Sequence, residues 1–194
     1  MAFTVPYVTN KFTAYPGDVI STNLSLAVRL TDDYTEKEAI GYIKVTLEEG
    51  DVKAVRNLSG YYLFNDLAAG NYTVSVESDV YFAEEKVVSV PLPDTRNPVV
   101  EIILKPVPPY PFPSNATLVR GLVSNANPVV NADVKVLGKT IETKTDERGE
   151  FVLYFKGIKK ENITIEINKD GNTKSINTTI EEGKTIFTGI ITFP

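Results

Sequence analysis

The chain has 194 residues, 42% hydrophobic and 23% charged, the composition of globular material with room for one large or two small domains. It contains neither Cys nor His. Disulfides, thiolate chemistry, the common zinc sites and the usual general base are therefore excluded. A formal net charge of −5, with lysines scattered among acids, argues against nucleic acid as a partner, and no apolar stretch reaches the length of a membrane span.

Residues 1–22 form an arm that carries Phe3, Val5, Tyr7, Val8, Phe12 and Tyr15 among Pro6, Pro16 and Gly17. Two readings are open: the arm covers a sheet edge of its own domain, or it adds a strand or an aromatic anchor to a neighbouring subunit. Its first residues lack a basic region followed by an apolar run, so no export signal is read there. From Leu24 the alternation is regular, with Leu24, Leu26, Val28 and Leu30 on one side of a half-buried strand. The polar turn 32–38 leads to a second strand over 40–47, a short third over 52–55 and, after the turn Asn57-Leu-Ser-Gly60, the aromatic strand 61–64. Strands over 71–76, 86–90 and 99–104 bring the first half to about seven, with no useful helical periodicity.

Lys105-Pro-Val-Pro-Pro-Tyr-Pro-Phe-Pro113 is too rich in proline for a helix or an inner strand and is expected to run extended as a stiff spacer. Beyond it the same order of strands returns, over 116–123, 129–136, 140–144, 150–155, 162–167, 175–180 and 185–193. Gly60 and Gly149 are 89 positions apart, and Asn71 and Asn162, each opening an alternating strand, are 91 apart. An internal repeat of whole domains is the consequence. The expected fold is all-β, two tandem Greek-key β-sandwich domains of prealbumin-like or Ig-like type. The arm covers 1–22, the first domain 23–105, a Pro-rich linker 106–115 and the second domain 116–194.

Val119-Arg-Gly-Leu-Val123, Val129-Val-Asn-Ala-Asp-Val-Lys-Val136 and Thr145-Asp-Glu-Arg-Gly-Glu-Phe-Val-Leu153 resemble the strands and turn of the carboxypeptidase regulatory-like domain, a prealbumin-type sandwich. The first half resembles it less, with Leu30 where the first glycine would stand and Asn57-Leu-Ser-Gly-Tyr-Tyr62 in place of the aspartate turn. The resemblance implies a non-catalytic appendage, stalk or interaction module, with the matched residues serving as framework. Pro109-Tyr-Pro-Phe-Pro113 followed by Thr117-Leu-Val-Arg-Gly121 also resembles tandem-domain proteins found with phage-tail-like contractile injection systems.

Enzyme chemistry finds no support in the residues. Ureide hydrolysis on a prealbumin-like sandwich needs histidines, and the self-crosslinking of pilin-type sandwiches needs a lysine where Arg29 and Arg120 stand. Asp32 and Asp33, or Glu48, Glu49 and Asp51, are read as solvated acids of polar turns, and no loop matches a calcium motif. No catalytic, cofactor or metal residue is assigned.

Six Asn-x-Ser/Thr triplets, at Asn23, Asn57, Asn71, Asn115, Asn162 and Asn177, are read either as glycosylation signals or as by-products of an Asn- and Thr-rich β-composition.

The function expected is that of a non-enzymatic assembly subunit with other protein subunits, copies of itself included, as partners, and with neither nucleic acid nor membrane insertion. Contacts are assigned to Phe3, Tyr7, Phe12 and Tyr15 of the arm and to Tyr110 and Phe112, which can pack into the domain interface. The site of action stays open between a particle assembled in the cytoplasm and the cell exterior. The alternative is a carbohydrate- or small-ligand-binding sandwich using Tyr42, Tyr61, Tyr72 and Tyr81.

Overall fold

The computed structural model describes residues 22–50 and 52–194, together with the backbone of residues 7–8 and 13–14. The chain is all-β: among the described residues there is no helix. β1 (Tyr7–Val8) and β2 (Thr13–Ala14) pair as a short ribbon. Next come β3 (Leu24–Asp32), β4 (Ile43–Leu47), β5 (Val52–Lys53), β6 (Val55–Arg56), β7 (Tyr62–Asn65), β8 (Gly70–Ser78), β9 (Glu84–Val90) and β10 (Val99–Leu104). The remaining strands are β11 (Thr117–Asn125), β12 (Asn127–Pro128), β13 (Asp133–Val136), β14 (Glu142–Lys144), β15 (Glu150–Phe155), β16 (Lys160–Lys169), β17 (Asn172–Glu181) and β18 (Thr185–Thr192).

In the first half the strands form one sheet in the order β10-β3-β7-β6 and another in the order β5-β4-β8-β9. In the second, β11 is flanked by β15 and β18, with β12 pairing its far end, and the facing sheet runs β14-β13-β16-β17. The halves share one wiring. First and last strands run parallel (β3 with β10, β11 with β18), and the first strand is antiparallel to the one after the glycine turn (β7, β15). Each half buries its own core between its sheets. Leu26, Val28, Leu30, Phe64 and Leu104 meet Val45, Leu47, Val74 and Val76 in the first, and Val119, Val123, Phe151 and Leu153 meet Val134, Ile163, Ile165 and Ile167 in the second. Each such aliphatic side chain contributes about 1.5–3 kcal/mol on burial.

The repeated turn has the same hydrogen bonds in both halves although its first residue differs. Asp146 Oδ1 accepts from the N–H groups of Arg148 and Glu150, both at 2.9 Å, and Gly149 N donates to Asp146 O at 3.0 Å. Asn57 Oδ1 accepts from Ser59 at 3.0 Å and Tyr61 at 2.9 Å, and Gly60 N donates to Asn57 O at 3.2 Å. Both glycines have positive φ, 81° at Gly60 and 75° at Gly149, where a Cβ is strained. Other motif residues of the second half have equally local reasons. A Cβ on Gly121 would lie 2.6 Å from the Phe151 ring, and the buried Thr145 hydroxyl takes a bond from Ala132 N and gives one to Val129 O. In the first half Val28 stands opposite Tyr62 as Gly121 stands opposite Phe151. The glycine position is thus taken by Val28, which corrects the expectation of Leu30.

The proline-rich stretch, expected to run extended as a stiff spacer, lies against the first half. Pro106 bridges to Tyr81, Val107 N donates to Val80 O at 3.1 Å, and Pro106, Pro108 and Tyr110 are buried on alternate positions. It is a strap laid over the first half. Proline rings remove donors but add apolar area, so the strap docks by packing and by its few remaining N–H groups.

Candidate functional site

The most built polar site of the described residues lies where the strap and the second half meet the turn after β3. Asp32, 0% exposed, accepts four hydrogen bonds: from Tyr34 N at 2.7 Å and Thr35 N at 3.2 Å on Oδ1, and from Tyr81 at 2.9 Å and Tyr110 at 2.5 Å on Oδ2. Tyr81 also accepts from Ile40 N at 3.1 Å. A buried carboxylate is tolerated only when so satisfied. The reading of Asp32 as a solvated turn acid is therefore wrong. The next residue, Asp33, accepts from the hydroxyl of Tyr154 in the second half.

Burial pushes the Tyr81 phenol up to about 12, helped by the neighbouring Asp32. Burial first, then the adjacent carboxylates Asp32 and Asp33, push Tyr110 and Tyr154 up in the same sense. The phenols donate to the two carboxylates, and the arrangement clamps the strap and the second half onto the turn after β3.

Around this clamp the aromatic rings stack edge to face. Tyr34 meets Phe112 at 4.9 Å, Tyr154 at 5.4 Å and Tyr110 at 6.1 Å between centroids. Phe112 and Tyr34 pack on Ala116, Leu118 and Val152, which form the outer face of the β11–β15 ladder. Arg120 on the same face donates to Pro108 O at 2.7 Å and lies 5.7 Å over the Phe112 ring. Exposed ion pairs Lys105–Glu142 at 2.8 Å and Lys156–Glu36 at 2.6 Å flank the contact. Being solvated, they add little, about 0–1 kcal/mol each. Beside the junction an open cleft of about 1160 Å³ runs between Phe82, Lys105 and Pro109 on one side and Asn131, Glu142 and Arg148 on the other.

Of the residues assigned from sequence, Tyr110 is buried in this clamp and Phe112 is half-buried beside it. Phe3, Phe12 and Tyr15, and the side chain of Tyr7, fall outside the described residues. Arg29 is exposed on β3, and Arg120 is spent on the strap. The tyrosines of the carbohydrate reading form no common exposed face. Tyr81 is in the core, Tyr72 packs against it, Tyr61 is half-buried and Tyr42 is exposed. Among the described residues no group of three or more acids is placed to hold a metal ion.

One feature had no sequence signal. Phe187 and Ile190 on β18 are 74% and 72% exposed. Register pairs Phe187 with Arg120 and Ile190 with Leu122, across a bulge at Gly189, whose φ is 72°. The extra residue resets the alternation, so Ile186 and Ile191 both face the core while Phe187 and Ile190 share the face on which Arg120 meets the strap. The strap's cover stops at Arg120. The edge strand beyond it, which among the described residues pairs with β11 alone, keeps an apolar strip.

No protein-family model and no curated protein matches the chain. Solved structures with some similarity include the Bacillus anthracis TIE protein, at 18% identity and a TM-score of 0.35, covering 88% of this chain and 34% of that one. The shaft pilin SpaA from Lactobacillus rhamnosus GG shows 11% identity and a TM-score of 0.33, covering 87% and 97%. The Streptococcal ancillary pilin shows 12% identity and a TM-score of 0.32, covering 89% and 62%. The chain thus spans about a third of the length of the first of these. Likenesses this distant carry no functional argument.

Proposed function

We propose that this chain is a non-catalytic structural subunit of a larger assembly. In this reading 23–105 and 116–194 are tandem sandwich domains of the carboxypeptidase regulatory-like kind, 106–115 is their linker, and residues 1–22 are an arm that engages a neighbouring subunit. The observation that carries it is the use made of the chain's polar and aromatic side chains. The one buried carboxylate among the described residues, Asp32, holds the strap and the core tyrosines instead of facing a cleft, and Tyr110 and Phe112 brace one half on the other. A stiffened pair of sandwiches suits a part that transmits position to its neighbours.

The contact surfaces follow from topology. β3 begins at the pole away from the junction, because its other end holds Asp32, and β18 ends at the opposite pole, where Thr192 pairs Ser124. The start of β3 therefore lies at one pole, and the open edge with Phe187 and Ile190 lies on the sandwich at the other. Phe3, Tyr7, Phe12 and Tyr15 are the arm's anchors, and a second copy arranged head to tail is the partner. The setting, a cell-surface fibre or a phage-tail-like particle, follows from where the assembly is found.

The test is light scattering and electron microscopy of the purified chain across concentration. The native chain self-associates, whereas deletion of 2–22, or Phe187→Glu combined with Ile190→Glu, leaves a folded monomer. Variants that associate as the native chain does, or a native chain that stays monomeric at every concentration, would overturn the proposal.

A further inference from the structure

The asparagines of the six Asn-x-Ser/Thr triplets stand on the surface, although Ile163 and Ala116 within two of the triplets belong to the second core and to the junction. All six asparagines are exposed. Exposure is permissive only, since most other asparagines here are exposed too. The informative observation is which atom of each carboxamide is engaged. Asn71 Oδ1 accepts from the Ser89 hydroxyl at 2.6 Å, and Asn57 Oδ1 accepts the two N–H groups of its turn. On β16 and β17 the triplets of Asn162 and Asn177 lie in reciprocal register, Asn162 opposite Thr179 and Thr164 opposite Asn177. Each threonine donates to the other triplet's asparagine: Thr179 to Asn162 Oδ1 at 2.6 Å, and Thr164 to Asn177 Oδ1 at 2.8 Å.

In all four the oxygen is engaged and Nδ2 donates to nothing in the described chain. The asparagines that do donate from Nδ2, Asn125 to Pro194 O and Asn168 to Glu166, stand outside any triplet. Attachment of a sugar at Nδ2 would leave Oδ1 in place, so none of the hydrogen bonds made by the triplet asparagines would be lost.

We infer that the chain is an N-glycoprotein, with Asn71, Asn162 and Asn177 carrying sugar on the outer faces of the β4–β8–β9 and β13–β16–β17 sheets. The inward neighbours Val74, Ile163 and Ile165 point into the cores, so these asparagines point away from them. The donor is an oligosaccharide on a polyprenyl phosphate or pyrophosphate. Nδ2 attacks its anomeric carbon, the N–C bond forms as the bond from that carbon to the phosphate oxygen breaks, the polyprenyl carrier leaves with the electron pair, and the amide gives up one proton. The Asn115 triplet ends on Thr117, the first residue of β11, and no triplet lies on β15 or β18, so the open edge stays bare. The inference is independent of the assembly proposal, because a monomer can be glycosylated and a fibre can be bare.

The test is peptide mass spectrometry of the protein taken from its native source. Peptides containing Asn71, Asn162 or Asn177 are expected to carry hexose-containing adducts at the asparagine. In the native host, Thr164→Ala should remove the adduct at Asn162, while Thr164→Ser, which keeps the triplet and the cross-strand hydroxyl, should retain it. Thr164→Ala leaves the Asn177 triplet intact, so an adduct persisting there shows that the variant was made and processed. Recovery of all three peptides at their unmodified masses, or sugar found on Ser or Thr instead, would overturn the inference.

Discussion

Tyr110→Phe removes one hydroxyl from the Asp32 clamp and leaves the ring in place against Tyr81 and Phe112. A hydrogen bond to a charged group contributes about 1.5–3 kcal/mol net, and the carboxylate left behind is buried where water does not replace the lost donor. Asp32 keeps three other donors, so the loss falls toward the lower half of that range, about 1.5–2 kcal/mol. With a urea m-value of about 2 kcal/mol/M, the midpoint of unfolding drops by about 0.8–1 M. Tyr42→Phe, at a side chain 77% exposed, is the control and should change stability by less than about 0.5 kcal/mol. Tyr81→Phe should cost at least as much as Tyr110→Phe, because it also strips Ile40 N of its acceptor. Since both phenols meet the same Oδ2, the double variant should deviate from additivity by about 0.5 kcal/mol or more. A Tyr110→Phe midpoint within error of the Tyr42→Phe control would refute the account of Asp32 as the clamp that seats the strap.

Stability should also fall in alkali. Tyr81 has its pKa raised in the fold to about 12 against about 10 unfolded, so its contribution is whole below pH 10, erodes between the two and is gone above. That amounts to roughly 2–3 kcal/mol, and Tyr110 and Tyr154 push in the same direction. Thermal melts from pH 8 to pH 11.5 should show a descending midpoint, and a flat profile would count against the clamp. The two aspects of the glycine turn can be separated. Gly149→Ala places a Cβ 2.4 Å from Val123 O at a positive φ and should cost well over 2 kcal/mol, whereas Gly171→Ala, at φ 82° with nothing within 4 Å, should cost about 1–2 kcal/mol. Asn57→Asp keeps the accepting oxygen and should stay within about 0.5 kcal/mol in chemical denaturation.

Local chemistry was legible in the sequence, and distant partnership was not. The alternation of Leu26, Val28 and Leu30 shows the core face because a strand reports burial every second residue. The Asp146 and Asn57 turns show themselves because donor, acceptor and glycine lie within five residues. Asp32 looks like any turn acid, since the phenols that hold it come from 49 and 78 positions away. The strap reads as a spacer for the same reason: proline content fixes its extension, but alternate burial of Pro106, Pro108 and Tyr110 depends on what lies beneath. The strip at Phe187 and Ile190 was missed because Gly189, read as part of a plain strand, inserts a bulge that turns two apolar residues outward.

The parallel pairing of first and last strands has a mechanical consequence. Tension applied along the molecule pulls the start of β3 against the end of β10, and the start of β11 against the end of β18. Each pull runs along a ladder of at least six residue pairs instead of across its end. The rungs then stretch together, as in a lap joint, and must yield as a group, whereas a hairpin pulled from its open end would unzip one rung at a time.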